Sequence, residues 1–133
     1  MSQENVEIVR DAFDAFGRDD IDRVLRLCDE NIVVTQPPEL FGVSPQQRGH
    51  SGVLEAFQIW PEQWDDYRIE IVRMVDCGDR VFVTTRTGGR GKQSGIEVAM
   101  DIFFVFVVRN EKILEMQIFM REDQALEAAG LSE

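Results

Sequence analysis

Val6, Val9, Phe13 and Phe16 recur at helical spacing from Ser2 onward, and Gly17 follows as a terminator, so the chain is expected to open with a long amphipathic helix. Asp19 or Asp20 can cap a second, shorter helix whose apolar positions are Ile21, Val24, Leu25 and Cys28. Asn31 to Gln36 reads as a strand, ended by Pro37 and Pro38 because proline cannot donate to a ladder. The stretch from there to Arg48 is a long loop by its length, of the kind that serves as a lid or binding loop. His50 or Ser51 opens a third helix in which Val53, Phe57, Trp60 and Trp64 share one face, and Pro61 is expected to kink or break it.

Four strand signals come next with no helix between them: Tyr67 to Val75, Arg80 to Thr87, Ile96 to Val108 and Lys112 to Met120. Short connections at 76–79 and at Asn110-Glu111 make hairpins and therefore antiparallel neighbours. The Gly88 to Gly95 stretch joins strand to strand and has Gln93 after its lysine, so it reads as a flexible hairpin tip and not a phosphate loop. Glu122 to Ala129 forms a short closing helix ended by Gly130. Helices first and then a strand meander predict an α+β fold, with helices covering one face of a curved antiparallel sheet, in one domain over residues 1–133.

The strand from Ile96 to Val108 is apolar on both parities. Ala99, Phe103, Val105 and Val107 share one face with Asp101, while Met100, Ile102, Phe104 and Phe106 occupy the other. A tight hairpin pairing Arg109 with Lys112 places Asp101 opposite Met120, Phe103 opposite Ile118 and Val105 opposite Met116. With the preceding hairpin closed near Thr87 and Ile96, Phe82 faces Asp101 and Arg86 is satisfied by Glu97. On that register the Asp101 face lines the interior and the Phe104 face is left for a second subunit, which predicts a homodimer through the sheet.

Composition narrows the function classes. Net charge is −11, from 25 acidic and 14 basic residues, a field that repels phosphate backbones and anionic membranes, so neither nucleic acid nor a membrane is an expected partner. No apolar run reaches the length of a membrane span and the N-terminus carries no basic n-region, which predicts a cytoplasmic protein. Cys28 and Cys77 have no metal-ligand spacing and read as inert thiols; with a single histidine, no metal site and no cofactor are expected.

Asp101 is the anomaly: a carboxylate within an apolar strand must be paired, hydrogen-bonded or protonated. It is either a pocket acid or a structural carboxylate bonded to the indole of Trp60 or Trp64 or to an arginine. His50, the only side chain with an unperturbed pKa near neutrality, either caps and packs its helix or acts as an acid/base at the pocket mouth. Gln36 is a candidate donor to a ligand carbonyl. Phe16, Phe57, Trp60, Phe103, Met116, Ile118 and Met120 are candidate walls, although helical spacing makes the tryptophans core residues first.

The chain resembles the nuclear transport factor 2-like superfamily, in particular its SnoaL-like branch of polyketide cyclases and ketosteroid-isomerase relatives. The resemblance rests on 5–10 (Asn-Val-Glu-Ile-Val-Arg), on Phe16 followed by Asp19-Asp20-Ile21-Asp22, on 48–53 (Arg-Gly-His-Ser-Gly-Val), and on Lys112-Ile113 leading into 125–130 (Ala-Leu-Glu-Ala-Ala-Gly). It implies a cone of cystatin-like α+β roll type, a strongly bent antiparallel sheet wrapped around the N-terminal helices with an internal pocket, and usually a homodimer joined through the sheets. Asp101 falls where the isomerases hold a protonated aspartic acid in the oxyanion hole. Their oxyanion tyrosine maps to Ala12, their base to Gln36 and a supporting tyrosine to Phe57. The last strand, where the cyclases place an acid/base, offers Met116, Ile118 or Met120. The expectation is a binder of a small, mostly apolar, uncharged molecule, with acid-assisted isomerase, cyclase or hydratase chemistry through Asp101 and His50. The alternative is a non-catalytic dimeric binding or assembly module with a vestigial pocket.

Overall fold

A computed structural model describes residues 2–37, 46–62 and 64–131. Two helices, α1 (Ser2–Gly17) and α2 (Ile21–Leu27), lead into strand β1 (Cys28–Thr35); β2 (Gln46–Arg48) and α3 (Gly49–Glu62) follow. Strands β3 (Trp64–Cys77), β4 (Arg80–Gly91), β5 (Glu97–Arg109) and β6 (Lys112–Phe119) then run to α4 (Glu122–Ala129). Asp20 caps α2 by accepting from the Arg23 amide, and Gly130, at φ 80°, closes α4 in the left-handed conformation. Pro61 does not break α3, because it falls one residue before the helix ends and costs only a terminal bond.

The six strands form one open sheet in the order β2-β1-β6-β5-β4-β3. It is mixed, since β1 joins β6 in parallel while every other pair is antiparallel. The parallel join requires a crossover, and α3 with the β3–β5 meander supplies it. The architecture is the α+β cone expected, with a sheet that is not purely antiparallel.

The register differs from the expected one in two places: the first exchanges the faces of β5, and the second, a shift of four residues, changes only which side chains stand opposite one another. Asn110 and Glu111 have positive φ values of 52° and 65°, and this tight turn does pair Arg109 with Lys112. The ladder then slips between Val108↔Ile113 and Val107↔Glu115, leaving Leu114 as the extra residue of a β-bulge. Beyond it Phe104 faces Ile118 and Phe106 faces Met116. In the other hairpin β4 continues to Gly91, so Gly88 and its neighbours are strand and the tip lies at 92–95. A Cβ on Gly88 would sit 2.0 Å from the Val98 carbonyl oxygen, so glycine is what lets β4 and β5 stay paired there. The extension moves Arg86 opposite Asp101 and gives Glu97 to Arg90.

The two faces of β5 are therefore exchanged relative to the expectation. Ile102, Phe104 and Phe106 point inward to the main core with Val81, Val83, Ile113, Met116 and Ile118, packed on Val9 and Ala15 of α1 and Val53 and Ala56 of α3. Phe103 and Val105 point outward and join Phe82 in a second cluster, covered by Ala125 and Ala129 of α4. The closing helix does the covering that had been assigned to a second subunit. The apolar stripe of Met100, Ile102, Phe104 and Phe106, expected at a homodimer contact, lies inside the monomer.

Candidate functional site

The interior of the cone holds a cavity of about 50 Å³. Helix α1 supplies Ala12, Phe13 and Phe16, α3 supplies Ala56 and Phe57, and the sheet contributes Tyr67, Thr87, Ile102, Phe104, Phe106, Met116 and Ile118 among others. Phe13 stands edge-on to Phe104 and Phe106, with centroids 5.4 and 5.7 Å away and interplanar angles of 89° and 83°. Phe16 meets Phe57 at 4.8 Å and Tyr67 at 6.1 Å. Those last three rings and Ile69 also line a wider cleft of about 490 Å³, together with Asp19, Asp20, Gln58 and Pro61. The rings are thus shared between a small apolar chamber and a larger cleft with polar groups in its lining.

Among the residues anticipated from the sequence, Phe16, Phe57, Met116 and Ile118 are brought together around the cavity. Phe103 is not, because the bulge at Leu114 turns it onto the outer cluster. Met120 lies beyond the end of β6 and is 40% exposed, so it forms no wall. Trp60 lies in α3, but its side chain falls outside the described residues.

Asp101 requires a correction. It lies on the outer face, 54% exposed, where its Oδ1 accepts from Arg86 Nη1 at 3.0 Å. Two changes decide this: the longer β4–β5 hairpin brings the arginine opposite, and the bulge at Leu114 turns that face of β5 to the surface. An exposed pair of this kind is worth roughly 0–1 kcal/mol. Asp101→Asn is therefore expected to shift stability by less than about 1 kcal/mol at neutral pH and to leave ligand binding unchanged. Urea melts and a binding isotherm on the variant check this, and a large loss in either would return Asp101 to the site.

His50 is corrected in the same sense. Its Nε2 donates to the Cys28 carbonyl at 3.0 Å, which ties the start of α3 to the start of β1, and the ring does not line the cavity. Gln36 is buried and also outside the lining; its Nε2 donates to Gln47 Oε1 at 2.8 Å, while its own Oε1 is buried without a partner. Trp64 Nε1 is buried without a partner as well, so neither Asp101 nor Gln36 uses that indole. Among the described residues no three His, Cys, Asp or Glu side chains converge as metal ligands.

Among the lining residues that sequence reasoning did not name as site candidates, Tyr67, Thr87 and Cys28 carry a hydroxyl or thiol. Burial raises the Tyr67 phenol far above its ordinary range, so it stays protonated. Thr87 shares parity with Val81, Val83 and Thr85 on β4, and that alternation was the available signal for it. Burial pushes the Cys28 thiol up to about 12, weakly opposed by Lys112. A raised thiol pKa contributes stability that is complete below the ordinary value near 9 and is lost as pH rises through the folded value. Native protein at pH 8 is expected to be alkylated at the half-buried Cys77 and spared at Cys28, which mass spectrometry of iodoacetamide-treated protein measures.

The SnoaL-like domain family matches residues 9–116, a span from α1 to the middle of β6. The chain belongs to the SnoaL-like family. A nuclear transport factor 2-like protein from Burkholderia xenovorans LB400 is 30% identical to this SnoaL-like chain, with 97% of each chain covered and a TM-score of 0.75. A protein from Jannaschia sp. CCS1 assigned to the SnoaL-like polyketide cyclases is 17% identical, covering 98% of this chain and 94% of its own, with a TM-score of 0.78. A protein with a ketosteroid isomerase-like fold from Catenulispora acidiphila DSM 44928, solved with trimethylamine, is 18% identical over 94% and 93%, with a TM-score of 0.73. No protein of curated function matches the chain. In this SnoaL-like chain the positions where the resemblance places isomerase phenols, Ala12 and Phe57, do line the cavity, and neither carries an ionisable group.

Proposed function

We propose that this SnoaL-like protein binds a small, mostly apolar, uncharged molecule, with one end in the chamber and its body in the wider cleft. The observation that carries the reading is the chamber itself. Its described lining has no charged side chain, so an ion entering it would lose its hydration without a counter-charge. The chamber is smaller than the roughly 150 Å³ engineered cavity that accepts benzene. The ligand therefore needs the cleft as well. Acid-assisted isomerase, cyclase or hydratase chemistry is not part of this proposal, because Asp101 and His50 are engaged elsewhere.

Ala12→Leu tests the reading by filling the chamber from α1. Amide shifts are followed by NMR while small apolar probes are titrated. In wild type they should centre on Phe16, Phe57, Tyr67 and Thr87, and the variant should bind at least about tenfold more weakly while remaining folded. Shifts that persist in Ala12→Leu would overturn it.

A homodimer through the sheet is retained in altered form. Its contact would use the outer face, where Arg86, Asp101, Arg90 and Glu97 form cross-strand pairs, and not the Phe104 stripe. Such an association should weaken between about 0.05 and 0.5 M salt, which sedimentation velocity measures.

A further inference from the structure

We infer that the ligand in the cone carries a neutral O–H or N–H group that donates to Thr87 Oγ1, and that Thr85 fixes this polarity. The inference rests on the binding reading above and adds the chemistry of the ligand's polar end. Thr85 and Thr87 are both buried on the inner face of β4, and Thr87 lines the chamber. Thr85 Oγ1 lies 2.9 Å from the Ile102 carbonyl oxygen and 2.8 Å from Thr87 Oγ1.

A hydroxyl has one hydrogen and two lone pairs, whereas a carbonyl oxygen only accepts. Thr85 must therefore spend its hydrogen on Ile102, and the short contact between the two hydroxyls is made by the hydrogen of Thr87. The chain of donors runs from Thr87 to Thr85 to Ile102, and the carbonyl at its end sets the direction. Thr87 is left with lone pairs alone to offer a ligand. A ligand carbonyl against Thr87 would put two acceptors together in a desolvated site, whereas an alcohol or neutral amine would be satisfied. This polarity is opposite to that of a site built to stabilise an oxyanion, which needs donors.

Cyclopentanol, cyclopentanone and methylcyclopentane, titrated by NMR into wild type, Thr87→Val, Thr87→Ser and Thr85→Val, test the inference. Wild type should bind the alcohol about fivefold to tenfold more tightly than the ketone. Thr87→Val should bring that ratio within about twofold while retaining methylcyclopentane, and Thr87→Ser should keep the preference. Thr85→Val frees the Thr87 hydrogen to turn toward the ligand, so the ketone should gain and the ratio fall. A wild-type ratio near one, or a preference that survives Thr87→Val, overturns the assignment while leaving the chamber a binding site. If none of the three probes shifts the chamber amides, the binding reading fails and this inference falls with it.

Discussion

Replacing Phe104 by glutamate is expected to unfold the subunit. The side chain is 8% exposed, lines the chamber and meets Phe13 edge-on at 5.4 Å. Removing a buried phenylalanine costs about 3–5 kcal/mol by itself. A carboxylate in its place has no cation among the cavity-lining residues, so it adds the cost of an unpaired buried charge or of its neutralisation. Against a total stability of about 5–15 kcal/mol the sum removes most or all of the folded population. Circular dichroism should show loss of cooperative melting, and a folded variant changed only in its oligomeric mass would mean that Phe104 lies on an outer face after all. The milder Phe106→Ala, 2% exposed beside it, should remain folded with a loss of about 3–5 kcal/mol in urea melts.

The second large effect lies on the opposite side of the sheet. Phe82 is fully buried, stacks on Phe103 with centroids 6.4 Å apart, and has the Arg73 guanidinium 5.9 Å from its ring centroid. Phe82→Ala should cost about 3–5 kcal/mol, which for a domain of this size lowers Tm by roughly 10–20 °C. Since α4 rests on this cluster through Ala125 and Ala129, amide exchange in α4 should accelerate more than exchange in α1. A loss below about 1 kcal/mol, or equal acceleration in both helices, would show that α4 does not depend on the cluster.

These two variants separate what could be read along the chain from what could not. The element order follows from local rules: helical spacing in α1, the Asp20 cap, the left-handed Gly130, and the Asn110-Glu111 turn each depend on residues a few positions apart. The sequence by itself determined the α+β order and the hairpin partners, and, with the family resemblance, the cone and the four wall residues Phe16, Phe57, Met116 and Ile118. It could not determine which face of β5 looks inward, because Phe103 and Val105 are as apolar as Phe104 and Phe106 and alternation carries no sign when both parities are hydrophobic. Only the tertiary structure decided that, through one extra residue at Leu114 and the arrival of α4 on the outer side. Asp101 moved with them from a supposed pocket to the surface, since in a period-two structure a single bulged residue sends every side chain beyond it to the opposite face.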